Sequence, residues 1–286
     1  MPRLGALGQL VRVDHDIMLA AGVVVGYAVS GGLVSPDYLK LGLAALTAFL
    51  VGASTFAMND YFDLEIDRKN RRTDRPLVRG DINPRSALLL FAILFPAGLI
   101  SSFFVNPQCF VVAALTGIIA VAYDVKVKRF KIAGNFYIAY MMAVPFIFGG
   151  VALSYVPTDT LVLALMAYLS GLGREVMKDV MDISGDREAG VRSFPTYIGE
   201  RNALALSGLA YLAAVGLSPI PFFFGQNMFR ANLMYALPVI AADVIFIYSA
   251  VSLFRENPDL KFHRRLTLAA MAMGLLGFMA GTLFRP

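Results

Sequence analysis

Two acidic segments of the chain carry residue types and spacing that could do chemistry. The first runs Asn59-Asp60-Tyr61-Phe62-Asp63-Leu64-Glu65-Ile66-Asp67, the second Asp179-Val180-Met181-Asp182-Ile183-Ser184-Gly185-Asp186. On a helix, residues four and eight positions apart lie along one stripe. Asn59, Asp63 and Asp67 then point into one space, as do Glu175, Asp179, Asp182 and Asp186, with Gly185 expected to end or bend the second helix. Carboxylates stacked this way repel one another and weaken a helix, and beside hydrocarbon they are costly. A hard divalent cation removes both penalties. Mg²⁺ takes one or two carboxylates and completes its shell with water and substrate phosphate oxygens. The chemistry expected is therefore metal-assisted handling of a phosphorylated substrate, with Asp60, Glu175 and Asp179 in supporting positions.

Basic residues surround both stripes. Arg68, Lys69, Arg71, Arg72, Arg75 and Arg79 follow the first, Lys126, Lys128, Arg129 and Lys131 form a second group, and Arg174 and Lys178 flank the second stripe. Guanidinium and ammonium groups suit phosphate oxygens. Arg72, Arg75, Lys128, Arg129, Arg174 and Lys178 are the candidates for substrate contact. Lys69, Arg85 and Lys131 read as charges that only hold loops on one side of a membrane and meet anionic lipid.

The elements that must position these groups are membrane helices. The chain is 58% hydrophobic and only 16% charged, with a mean hydropathy of +0.66, whereas a soluble domain sits nearer a quarter charged. Runs of about 20 apolar residues read as spans. Nine are predicted: Ile17–Val34, Leu39–Phe62, Ser86–Phe104, Phe110–Tyr123, Phe136–Tyr155, Thr160–Met177, Ala203–Phe224, Ala231–Phe254 and Leu266–Leu283. The fourth is short enough to extend into the loop that follows it. Of the 25 Lys and Arg, only Lys40, Arg230 and Arg285 fall in one alternate set of connections. The positive-inside rule places the other, basic set in the cytoplasm. An all-α, polytopic cell-membrane protein follows, with a cytoplasmic N-terminus and its working surface on the cytoplasmic side.

The whole chain, 1–286, reads as one integral membrane domain. The acidic segments follow the second and sixth spans, which suggests two related four-helix halves plus a ninth helix. One cysteine, Cys109, excludes an internal disulfide and a cysteine metal site. His15 and His263 are too few for a zinc triad or a haem pair, and His15 reads as a helix cap. Cys109 is expected in an outer link. No secretory signal is expected, because Asp14-His15-Asp16 precedes the first apolar run without a plausible cleavage site. Membrane lipid is an expected partner and nucleic acid is not.

At these residues the chain resembles the UbiA superfamily of intramembrane prenyltransferases. The family pattern NDxxDxxxD is matched by Asn59, Asp60, Asp63 and Asp67, and DxxxD by Asp182 and Asp186; Asp74-Arg75-Pro76-Leu77 and Gly134-Asn135 are also family-like. The resemblance covers most of the chain. It implies nine helices around a central cavity with a polar cytoplasmic mouth. It implies that Asn59, Asp63, Asp67, Asp182 and Asp186 hold Mg²⁺ and a diphosphate, and that Lys128 contacts the diphosphate. The family's Tyr-x-x-x-Lys departs here, since Tyr123 stands five residues before Lys128 and position 127 is Val. Tyr123 is carried over as a substrate contact on that weaker match. The implied reaction ionises an allylic isoprenyl diphosphate, with Asp63, Asp67, Asp182 and Lys128 as the catalytic set, and an acceptor captures the carbocation. The stretch from Arg174 to Asp186 resembles the branch that joins geranylgeranyl to geranylgeranylglyceryl phosphate in archaeal ether-lipid synthesis.

Other readings are weaker. An aromatic acceptor such as 4-hydroxybenzoate is the alternative for the same chemistry. A metal-dependent lipid transporter would place ionisable groups near the membrane midplane, yet nearly all the charge lies at one surface. The exception is Asp243, in the middle of the eighth run, which reads as a hydrogen-bonded tie between helices. A CDP-alcohol phosphotransferase needs Asp-Gly and Ala-Arg steps that do not precede Asp182 in the right order.

Overall fold

The computed structural model describes residues 2–69, 71–127, 130–188 and 190–284. Among the described residues, nine long helices overlap the predicted runs: α1 Val13–Val29, α2 Tyr38–Lys69, α3 Pro84–Val105, α4 Pro107–Ala122, α5 Lys131–Ala152, α6 Thr158–Met181, α7 Glu200–Leu217, α8 Leu233–Leu253 and α9 Leu260–Leu283. Eight of them, α2 to α9, are long and apolar enough to cross a membrane, α4 together with the π-helical turn that follows it and α7 together with the short helix that continues it. The first, α1, has 17 residues. Short helices Pro2–Val11, Pro76–Arg79, Ile183–Glu188, Phe194–Ile198 and Pro219–Phe224 cover the connections.

Local chemistry starts several helices where the sequence changes character. Asn83, Asn106, Asn232 and Asp259 each accept a backbone N–H in the first turn of α3, α4, α8 and α9, as side-chain caps do. Pro84 and Pro107 occupy first-turn positions that need no N–H.

Four boundaries differ from expectation. Helix α2 continues past Phe62 to Lys69, carrying the whole first acidic stripe on one helix. Helix α6 ends at Asp182, not at Gly185, which sits inside Ile183–Glu188. Helix α7 breaks at Ser218, ahead of Pro219 and Pro221. Cys109 is a buried residue of α4 rather than part of a link.

The helices enclose a central space. Helix α5 packs on α1, α2, α4 and α6, while α9 packs on α8, α6 and α1. The crossing of α1 and α5 is unusually close. A Cβ at Gly26 would strike the Phe146 carbonyl, and one at Gly149 would strike the backbone of Val23 and Tyr27. Small residues that let backbones touch are how helices pack inside lipid, where apolar burial gives little drive. Near one end of the bundle Ser30 and Thr160 share a buried hydrogen bond of 2.8 Å, which ties α1 to α6.

Candidate active site

A cavity of about 750 Å³ lies between the helices. Its body is apolar and aromatic, with Phe56, Pro145, Phe146, Phe246 and Phe278 on its walls and several methionines beside them. Its polar end gathers Arg12, His15, Asn59, Asp124, Glu175 and Lys178. His15 is thus a wall residue, with its ring edge-on to Phe56 at 5.8 Å. Tyr123 also lines the cavity and stacks on Tyr137, with ring centroids 4.3 Å apart.

The first acidic group is built on α2. Asn59 donates to Asp124 at 2.6 Å, from the π-helical turn Tyr123–Val127 that follows α4. Asp60 is buried, and a single oxygen accepts from both Arg12 and Arg75 at 3.0 Å. Its other oxygen is buried with no hydrogen-bond partner. Arg75 also reaches toward Asp67 at 3.8 Å. Arg12 supplies its guanidinium from the junction before α1, where it adopts a left-handed backbone with φ 52°, and it covers the Phe56 ring at 4.6 Å, a cation–π geometry.

The second group is built on α5 and α6. Lys131 reaches Asp179 at 3.2 Å and Asp186 at 2.9 Å, and Asn135 donates to Asp179 at 2.6 Å. Asp179 and Asp186 are buried, whereas Asp182 is exposed at the end of α6. Lys131 therefore corrects its reading as a mere topology charge: it is the cation that joins the two buried carboxylates. Lys178 pairs with Glu175 at 3.3 Å on the cavity wall.

Two predicted contacts lie elsewhere. Arg72 is held by Asp74 through two bonds of 2.9 and 2.8 Å on the exposed loop. That pairing pulls the Asp74 carboxyl down to about 2. Arg174 leans toward α9, where it donates to the Arg264 carbonyl at 3.4 Å. Lys128 and Arg129 lie outside the described residues.

Among the described residues, no three carboxylate, His or Cys side chains converge closely enough to hold a metal ion. The cations Arg12, Arg75 and Lys131 stand between the carboxylates instead. The donor set still suits a hard cation: Asn59, Asp63, Asp67, Asp124, Asp182 and Asp186 offer only oxygens, with no thiolate or imidazole among them. The sequence missed Arg12, Asp124 and Asn135 as parts of this network. Only Asn135 had a signal, in the Gly134-Asn135 step.

Asp243 lines the apolar body of the cavity and accepts from the Ser218 hydroxyl at 2.5 Å. Tyr235 donates to the Ser218 carbonyl at 2.6 Å, so α8 grips the break after α7 twice. Asp243→Asn is expected to keep prenyl transfer and to lower stability by about 1 kcal/mol, the scale of one hydrogen bond. Thermal unfolding in detergent alongside a turnover assay checks this; lost turnover in a stable variant overturns it.

A helical bundle around an apolar cavity whose mouth is rimmed by carboxylates and cations defines an intramembrane enzyme for amphiphilic phosphates. The UbiA prenyltransferase family model matches residues 19–281, and the chain belongs to that family. It is a membrane prenyltransferase. It is 45% identical over 281 residues to the digeranylgeranylglyceryl phosphate synthase of Archaeoglobus fulgidus, covering 97% of this chain and 95% of that one. A solved structure of a digeranylgeranylglyceryl phosphate synthase shares the fold with a TM-score of 0.87 and 33% identity, covering 99% of each chain. A UbiA homologue from Archaeoglobus fulgidus, solved with DMAPP and Mg²⁺, matches with a TM-score of 0.63 and 20% identity over 96% of this chain and 99% of that one.

Proposed function

We propose that this prenyltransferase moves a geranylgeranyl group from its diphosphate to the free hydroxyl of geranylgeranylglyceryl phosphate, as the enzymes it resembles are named for doing. The observation that carries this reading is the cavity, an apolar and aromatic body that ends among carboxylates and cations. Its volume falls within the range of about 300–1,000 Å³ common to ligand pockets.

Mg²⁺ is the proposed cofactor, as in the homologue solved with an isoprenyl diphosphate. Asn59, Asp63 and Asp67 from α2, with Asp182 and Asp186 beyond α6, would hold it. When bound it would neutralise charge on the departing diphosphate. Lys128, by the family motif, would contact the same group. The chain's own side chains do the rest. Phe56, Tyr123, Tyr137 and Phe246 keep water from the allylic carbon, and their ring faces stabilise positive charge as it develops there. The apolar walls hold the isoprenoid tail in line with the mouth, so that binding of the remote tail orients the reacting end. The C–O bond to the diphosphate breaks, the acceptor hydroxyl forms the new ether bond, and its proton leaves with the diphosphate.

The membrane arrangement is part of the same reading. The basic loops put the polar mouth on the cytoplasmic side of the cell membrane, with α1 as a ninth span. Helices α1–α4 and α5–α8 then form two related halves of one domain, each giving one acidic group. Product analysis by mass spectrometry, with geranylgeranylglyceryl phosphate and 4-hydroxybenzoate offered separately, tests the acceptor. Ether product from the first supports the proposal, and product only from the aromatic acid rejects it.

A further inference from the structure

Arg174 has no role in the network of carboxylates just described, yet it stands beside the polar end of the cavity, next to the lining residue Glu175. Ser170, Glu175 and Lys178 of α6 line the cavity, and Arg174 lies between them on the same helix without lining it. Its guanidinium leans across to the start of α9. There it makes one long bond, 3.4 Å, to the Arg264 carbonyl, and its Nε is buried with no hydrogen-bond partner. Its electrostatic neighbours are Tyr211, Glu175 and Arg264. Glu175 is already paired with Lys178. Among the described residues neither Arg174 nor Arg264 has a carboxylate within ion-pair distance. The Tyr211 hydroxyl, from α7, is also buried, beside the Ser207 and Thr267 hydroxyls, and its ring packs against Gly173, next to Arg174.

A buried N–H left unpaired is costly, and the nearby charge of Arg264 opposes that of Arg174. A dianionic phosphate satisfies both groups through planar, charge-assisted hydrogen bonds. We propose that Arg174 and Arg264, with the Tyr211 hydroxyl, bind the phosphate monoester of the lipid acceptor. This deepens the reaction proposed above and rests on it. Among the described residues the carboxylate beside this corner, Glu175, is taken up by Lys178, so the corner takes a phosphate directly. The two anions of the reaction are thereby separated: the diphosphate lies with the carboxylate stripes, and the acceptor's phosphate lies at the edge between α6 and α9.

The test uses the full-length protein in nanodiscs. Arg174→Gln and Arg264→Gln are expected to raise the KM for geranylgeranylglyceryl phosphate about ten-fold or more, while the KM for geranylgeranyl diphosphate stays within about two-fold. The variants should also lose the preference for the phosphorylated acceptor over geranylgeranylglycerol, which lacks the phosphate. Arg174→Lys should recover part of the effect. Calorimetric binding of a long-chain alkyl phosphate against the matching alcohol gives a readout independent of turnover, with near-wild-type thermal unfolding required of each variant. An undiminished phosphate preference, or a KM rise confined to the diphosphate, overturns the assignment. A wild type that binds the alkyl phosphate through Arg174 but makes no ether product rejects the acceptor proposed above and leaves the corner standing as a phosphate site.

Discussion

Asp63→Ala yields a folded protein that no longer transfers prenyl groups. The loss expected in turnover is at least about 10³-fold, the scale on which active sites depend on a group that stabilises developing charge. Asp63 lies on α2 one helical turn beyond Asn59, which lines the cavity and bonds Asp124, and one turn before the buried Asp67. It is therefore the middle member of the stripe that would meet the diphosphate through Mg²⁺. Removing it takes nothing from the apolar core, so the variant should extract and unfold like the parent. Asp81→Ala is the matched control, since Asp81 is exposed and, among the described residues, forms its ion pair with Arg79 on the loop. Prenyl transfer by Asp63→Ala at parental rate would reject the metal-site assignment.

Lys131→Ala destabilises the protein by about 3 kcal/mol, because removing one partner leaves buried charge uncompensated. Lys131 is the cation that Asp179 and Asp186 share, and Asp179 keeps only its Asn135 bond when the lysine is gone. The estimate sits at the low end of the range because the lysine is 30% exposed. Lys131→Arg should restore most of the loss by bridging the same carboxylates. Added Mg²⁺ should raise the melting temperature of Lys131→Ala more than that of the parent, because Asp186 is one of its proposed ligands. An unchanged melting temperature for Lys131→Ala would show that the two carboxylates do not depend on this ion pair.

Much of the architecture was legible because membrane helices write themselves as apolar runs. The first acidic stripe was legible for the same reason: a 3.6-residue period fixes which side chains share a face, and α2 keeps that period through Asp67. What the sequence concealed is pairing across distance. Asn59 meets Asp124, Asn135 meets Asp179 and Lys131 meets Asp186 over separations of 65, 44 and 55 residues. No local pattern encodes such partners. Lys131 was misread because a lysine beside other basic residues looks the same whether it guards a loop or neutralises two buried acids. The end of α6 was misplaced because Gly185 looks like the natural stop, while the chain turns three residues earlier, at Asp182. The break in α7 had a visible cause in Pro219 and Pro221, outweighed by the unbroken apolar run around them.

The contact of Gly26 with Gly149 has a consequence for altering what the enzyme accepts. With α1 and α5 already touching backbone to backbone, that wall of the cavity can neither move inward nor take a larger side chain at the crossing. It is a fixed datum against which the rest of the chamber is measured. Room for a longer or shorter isoprenoid must be found where other helices line the cavity. There Met166 and Met271 are unbranched, adaptable side chains, and exchanging them for Leu or Phe changes the volume without disturbing the seam. The protein thus divides its interior into a side that fixes shape and a side that can be retailored.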